Sequence, residues 1–204
     1  SEDRAEVQFL NCSIAKHLYQ SDWPWKRFEL NESHRLTTSL AHFVNRCLQL
    51  PVPIRGCSRA PDVPVQYYVG DLRDHVRVAH DVWTRFLGSR PQTDGIAFPC
   101  QDLLILRAST KQRTDTSRWI QNIINTWIKW GLRVQFDGQA SCTAAHKARV
   151  CTFHGAKGTE APLVVVFNAD ETYCAVPRLR QTTCPNPVYV ALSRCSGGRL
   201  CVIQ

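Results

Sequence analysis

Strand-like and helix-like segments alternate along most of this sequence. The runs DLLILR at 102–107, LVVVF at 163–167 and LCVI at 200–203 are almost continuously apolar, which is typical of strands that are buried on both faces of a sheet. The segments between the strands carry apolar residues at helical spacing. This alternation predicts an α/β fold in which helices cover both faces of a mostly parallel sheet.

The same periodicities locate the remaining elements. Helices are expected from Arg35 to the Pro-Val-Pro stop at 51–53, from Leu72 to Gly88 and from Ser117 to Gly131, with a short one inside PVYVALSRC at 187–195. Alternating Val63, Val65, Tyr67 and Val69 predict a further strand. Two more are expected at LRVQF (132–136) and RVCTF (149–153).

Length and charge narrow the class of protein. The 204 residues are 44% hydrophobic and 21% charged, which is an ordinary globular composition. No apolar run approaches the ~18 residues of a membrane span, and the polar start SEDRAEVQ is not a leader, so an intracellular protein without a membrane partner is expected. The net charge of +8 suits a polyanionic partner such as nucleic acid. The absence of Met predicts that the chain is a processed product or a piece of something longer.

The ten cysteines do not form a recognisable framework. None of them occurs in a CxxC pair, so no metal site is predicted, although a zinc site built from distant Cys and His residues stays open. Several, such as Cys151 and Cys201, lie in apolar strand patterns, where a free thiol behaves as a small hydrophobic group. We therefore expect buried thiols in a reducing compartment, either nucleus or cytoplasm.

The segment HGAKG at 154–158 suggests a phosphate-binding loop, but its order is wrong for one. The usual phosphate loop places Lys after the second Gly, whereas Lys157 precedes Gly158 and the chain contains no Gly-Lys pair. No GxGxxG follows a predicted strand either, which argues against a dinucleotide enzyme. The loop leaves the end of a predicted strand, where ligands of parallel sheets usually bind.

Three separated segments carry a family resemblance: LNESHRLTTSLAHFVN at 30–45, VCTFHGAKGTEAPLVVVFN at 150–168 and VYVALSRC at 188–195. In this order they resemble motifs IV, V and VI of superfamily 1 helicases of the UvrD and Rep type. The resemblance implies that residues 28–204 form the second of two RecA-like halves and that residues 1–27 are a lead-in or interdomain segment.

The resemblance also implies roles for individual residues. Arg35 and Arg194 would be arginine fingers that act on the phosphates of ATP, while Gly158 and Glu160 would contact the nucleotide. Magnesium and the phosphate loop would belong to the first half, which is the expected protein partner. Single-stranded nucleic acid, DNA rather than RNA, would contact four residues: Thr152, His154, Lys157 and Arg107. The alternative is a catalytically inactive binding module derived from a helicase.

Overall fold

The computed structural model describes residues 31–48, 52–88, 98–108, 114–137, 146–168 and 186–204. The strands are β1 (Glu32–Ser33), β2 (Arg55–Gly56), β3 (Gln66–Tyr68), β4 (Leu103–Arg107), β5 (Val134–Phe136), β6 (Ala148–Thr152), β7 (Ala161–Phe167) and β8 (Cys195–Ile203). The helices are α1 (Thr38–Leu48), α2 (His75–Arg85), α3 (Asp115–Lys129) and α4 (Asn186–Leu192).

Six of these strands form one sheet in the order β3-β8-β7-β4-β6-β5, and every pairing in it is parallel. The short strands β1 and β2 form a separate parallel pair. The predicted α/β class, a parallel sheet with helices on both faces, is therefore confirmed, and this arrangement is consistent with a RecA-like fold.

Two hydrophobic clusters cover the two faces of the sheet. One contains the buried residues of α2 and α3, and the other contains those of α1 and α4. The central strand β4 supplies both, because Leu103 and Ile105 face the first cluster while Leu104 and Leu106 face the second. Burial on both faces explains why this strand is apolar at successive positions.

A buried hydrogen bond fastens the two helices of the first face to each other. The indole N–H of Trp127 in α3 donates to the backbone carbonyl of Ala79 in α2 over 3.0 Å. The ring of Trp83 lies beside it, with centroids 6.5 Å apart. Both tryptophans are completely buried, so they belong to the core of this face.

The main departures from the predicted elements occur at two strands. The strand expected over 63–69 is only three residues long, and Tyr67 and Val69 are exposed. The last strand begins at Cys195 rather than Leu200. Its first part contains the pair Gly197 and Gly198, whose low strand propensity hides it from a sequence pattern.

The described residues bear on two further expectations, and a third lies outside them. The described cysteines are free, and Cys100, Cys151, Cys195 and Cys201 among them are buried, whereas Cys47 and Cys57 are exposed. No described helix is long and apolar enough to cross a bilayer. The proposed boundary between 27 and 28 lies outside the described residues.

Candidate functional site

Arg35 lies in a turn that leads from β1 into α1. The hydroxyl oxygen of Ser33 accepts a hydrogen bond from the Leu36 N–H at 3.2 Å and closes this turn. Asp62 accepts the N–H of Ser39 at 2.9 Å, which satisfies an otherwise open donor at the start of the helix. That contact, together with the hydroxyl of Thr37, lowers the pKa of Asp62. Arg35 is thus held just before the helix, not inside it as the spacing predicts.

Arg35 forms an ion pair with Glu160. The distance from Arg35 Nε to Glu160 Oε2 is 2.7 Å, and the two side chains are 40% and 54% exposed. Because both remain in contact with water, the pair contributes little to stability, at most about 1 kcal/mol. Its significance is positional, since it brings two of the sequence-predicted residues together.

Arg194 reaches the same place from the end of α4. Its Nε donates to the Val190 carbonyl at 2.9 Å, a favourable arrangement for a cation at the C-terminal end of a helix. Its Nη1 donates to the Thr159 carbonyl at 3.4 Å, directly beside Glu160. One guanidinium therefore caps α4 and contacts the segment that carries the carboxylate.

The electrostatics confirm that the two arginines lie near each other. Burial lowers the pKa of Arg194, the charge of Arg35 lowers it further, and Tyr189 and Glu160 act in the opposite direction. Among the described residues, no carboxylate lies within ion-pair distance of Arg194. Arg35 and Arg194 place two positive charges near the Glu160 carboxylate, and guanidinium groups bind phosphate well.

A polar cleft of about 560 Å³ adjoins this charge. Besides Arg35 and Glu160, it is lined by residues that the motif analysis did not single out: Glu32, Ser33, His34, Ser58 and Ser196. Ser196 lies where the register between β7 and β8 shifts, and the glycine pair that follows it in the sequence is the one signal that points to an irregular strand there.

Glu160 and Arg194 lie at the amino ends of strands, whereas ligands of parallel sheets usually bind at the carboxyl ends. Glu160 immediately precedes β7 and Arg194 immediately precedes β8. The segment after β6 runs from the carboxyl ends of the strands to their amino ends. Thr152 pairs with Arg107, the last residue of β4, whereas Ala161 precedes the residue that pairs with Leu103, the first residue of β4. This offset is roughly 20 Å at the usual rise per residue.

Thr152, the last residue of β6, begins this segment at the carboxyl ends of the strands. Its hydroxyl accepts the Gly155 N–H at 3.0 Å, and its carbonyl accepts the N–H of Ala156 at 2.9 Å. His154 and Lys157 are exposed in the turns that follow. The structure therefore leaves these two side chains available to a partner, while the Thr152 hydroxyl is engaged within the turn.

Gly158 precedes Glu160 by two residues. Its φ is 82°, and a Cβ added there would meet nothing within 4 Å, so the backbone conformation rather than space favours glycine. It does not line the cleft described above. Its predicted contact with the nucleotide stays a prediction.

Arg107 is placed differently from what its sequence position suggests. It was expected to contact nucleic acid, but it is the last residue of β4 and only 4% exposed. Its Nη1 donates to Gln121 at 2.8 Å, its guanidinium lies over the Phe136 ring, and its Nε has no acceptor among the described residues. Burial lowers its pKa. In this arrangement Arg107 does not present its charge to a nucleic-acid strand.

No group of three or more His, Cys, Asp or Glu side chains suited to a metal ion occurs in the described parts of the chain. The loop residues Thr110, Lys111 and Arg113, which the sequence groups with Arg107, lie outside those parts.

Comparisons with known proteins give structural similarities but no match in sequence. No family model matches the sequence, and no curated protein matches it. The chain is similar to the crystal structure of the C-terminal domain of a possible DNA helicase from Lactobacillus plantarum WCFS1, with 16% identical residues and a TM-score of 0.47. The match covers 84% of this chain and 87% of that one.

Proposed function

We propose that this chain is the second RecA-like half of an ATP-dependent superfamily 1 helicase. The observation that carries the proposal is the grouping of Arg35, Glu160 and Arg194: Arg35 pairs with Glu160 at the cleft, and Arg194 contacts the carbonyl of the neighbouring Thr159. They come from three separate motif-like segments, and their spacing in the sequence does not by itself require them to meet.

In the proposed cycle, ATP and magnesium are held by a first half and the triphosphate faces this cleft. The guanidinium groups of Arg35 and Arg194 stabilise the charge on the transferred phosphoryl group, an effect worth about 10³–10⁵ in rate for an arginine finger. Glu160 then exchanges its ion pair with Arg35 for a hydrogen bond to the ribose. Both arginines are held by local contacts, which limits the entropy lost on binding.

The proposed nucleic-acid surface is formed by the turns after Thr152, which begin at the carboxyl ends of the strands. His154 and Lys157 are exposed there, and Lys157 supplies a positive charge for a backbone phosphate. The segment from Thr152 to Glu160 links this surface to the cleft. A strand bound at one edge and a nucleotide bound at the other would therefore act on one continuous stretch of backbone.

The second candidate is a catalytically inactive binding module. It is favoured by the observation that both arginines already have partners within the chain: Glu160 for Arg35 and the Val190 carbonyl for Arg194. In that case the two guanidinium groups serve only to hold their segments in place.

ATP turnover separates the two candidates. In a protein that joins this chain to a first half with a phosphate loop, we expect Arg194→Ala to lower kcat by at least about 10³-fold and Arg194→Lys to restore little of it, because a single ammonium cannot reproduce the planar fork. Arg118→Ala, which removes an exposed arginine paired with Asp115, is the matched control and should leave kcat unchanged.

The 204-residue chain alone should hydrolyse essentially no ATP. Normal turnover in the Arg194→Ala protein would favour the inactive module. Turnover by the chain alone that Arg194→Ala abolishes would show that no first half is required.

A further inference from the structure

Gly155 and Asp137 meet at the carboxyl edge of the sheet. Asp137 directly follows β5, and a Cβ added to Gly155 would fall well inside van der Waals contact of the Asp137 carboxylate. Gly155 is not among the glycines with positive φ in the described chain, so its backbone conformation would accept alanine. The space taken by the carboxylate is therefore the main reason for glycine at this position, and the Thr152 hydroxyl, 3.2 Å from the added Cβ, adds to it.

The Asp137 carboxylate is held in place from two sides. Its Oδ1 accepts hydrogen bonds from Arg149 Nε at 3.1 Å and from Nη2 at 3.0 Å. Its backbone N–H donates to the Val150 carbonyl at 3.0 Å. A movement of the carboxylate away from Gly155 would disturb its two hydrogen bonds with Arg149.

The segment around Gly155 has one buried side and one exposed side. Phe153 and Ala156 are fully buried in the cluster beneath α1 and α4. His154 and Lys157 alternate with them and are exposed. The point at which Asp137 touches the backbone lies between these residues, so a shift there would change the direction in which both exposed side chains project.

We propose that Asp137 is a positioning residue for the proposed nucleic-acid surface, and that Asp137 and Gly155 form a matched pair. The carboxylate fixes the position of the backbone at residue 155, and the absence of a side chain on Gly155 leaves room for the carboxylate. The effect on nucleic-acid binding rests on the proposed function, whereas the effect on the backbone does not.

The test is a set of variants that separates volume from charge. Gly155→Ala should displace the segment. Asp137→Ala and Asp137→Asn remove the same charge, but only the first removes the volume that meets residue 155. The displacement should therefore disappear when Gly155→Ala is combined with Asp137→Ala. It should persist when Gly155→Ala is combined with Asp137→Asn.

Two measurements on the 204-residue chain make the outcomes distinct. Amide hydrogen exchange over residues 153–158, followed by mass spectrometry, should be about three- to tenfold faster in Gly155→Ala. When Asp137→Ala is added to Gly155→Ala, the exchange rate should return to within about twofold of that in the Asp137→Ala single variant. The affinity for a fluorescent single-stranded oligonucleotide should fall and recover in parallel.

Equal recovery with Asp137→Asn, or no recovery with Asp137→Ala, would overturn the proposal. Recovery of hydrogen exchange in a chain that does not bind the oligonucleotide in any form would keep the pairing of Asp137 with Gly155 and contradict both the nucleic-acid surface and its proposed use. Arg118→Ala serves as a control for loss of a surface charge pair.

Discussion

At the scale of single residues, a polar atom in the core stabilises the fold only when it has a partner. Trp83 and Trp127 are both fully buried and lie side by side. The Trp127 indole N–H donates to the Ala79 carbonyl, whereas the Trp83 indole N–H has no acceptor among the described residues. The two side chains fill similar volumes but differ in hydrogen bonding.

This difference can be measured with a matched pair of substitutions. Trp83→Phe and Trp127→Phe each remove the indole nitrogen and leave a similar cavity, but only the second loses a hydrogen bond. We expect the free energy of unfolding to fall by about 1 kcal/mol more for Trp127→Phe than for Trp83→Phe in urea denaturation. Equal losses would show that the Trp83 nitrogen is also satisfied in the folded protein.

At the scale of elements, the strands at the centre of the sheet bury thiols that titrate abnormally. Burial raises the pKa of Cys201 in β8 to about 12. Burial also raises the pKa of Cys195 to about 11, against the opposing effect of the backbone N–H groups of Gly197, Gly198 and Arg199. An unfolded thiol ionises near 9.0, so the stabilising effect of the neutral form is complete below that pH and declines as the pH rises toward the folded value.

The predicted consequence is a loss of stability in alkali that depends on these side chains. Between pH 8 and pH 10, one such thiol lowers the free energy of unfolding by about 1.4 kcal/mol. Cys201→Ala should therefore lose about 1.4 kcal/mol less than the unsubstituted chain over this interval, although it is less stable at both pH values. Identical pH dependence in urea denaturation would show that Cys201 is accessible enough to ionise.

The elements themselves could largely be predicted, since apolar runs and helical spacing report directly on burial. DLLILR and LVVVF became strands whose residues supply both clusters. Two features could not be predicted from local patterns. Tyr67 and Val69 lie at an edge of the sheet, where alternation does not say which face is covered. The start of β8 depends on two glycines, Gly197 and Gly198, because Pro162 and Pro61 lie so close to them that a Cβ has no room.

At the scale of the whole molecule, Thr152 and Ala161, at the two ends of the segment between β6 and β7, lie roughly 20 Å apart along the strands. The grouping of Arg35, Glu160 and Arg194 was predicted from the resemblance of three segments to a family, not from spacing. The edge at which they meet was not predicted, because a strand pattern does not show where the next strand begins in space. The burial of Arg107 was likewise invisible, since Gln121 and Phe136 come from distant parts of the chain.

We propose that Arg35 and Arg194 act together on one phosphoryl group, and a double-mutant cycle on ATP turnover measures this coupling. In the protein that joins this chain to a first half, Arg35→Ala and Arg194→Ala should each lower kcat by about 10³-fold or more. The double variant should be at most about tenfold slower than the slower single variant, because residues that act as a unit are not additive. Full multiplication of the two effects, or near-normal kcat in either single variant, would contradict the account.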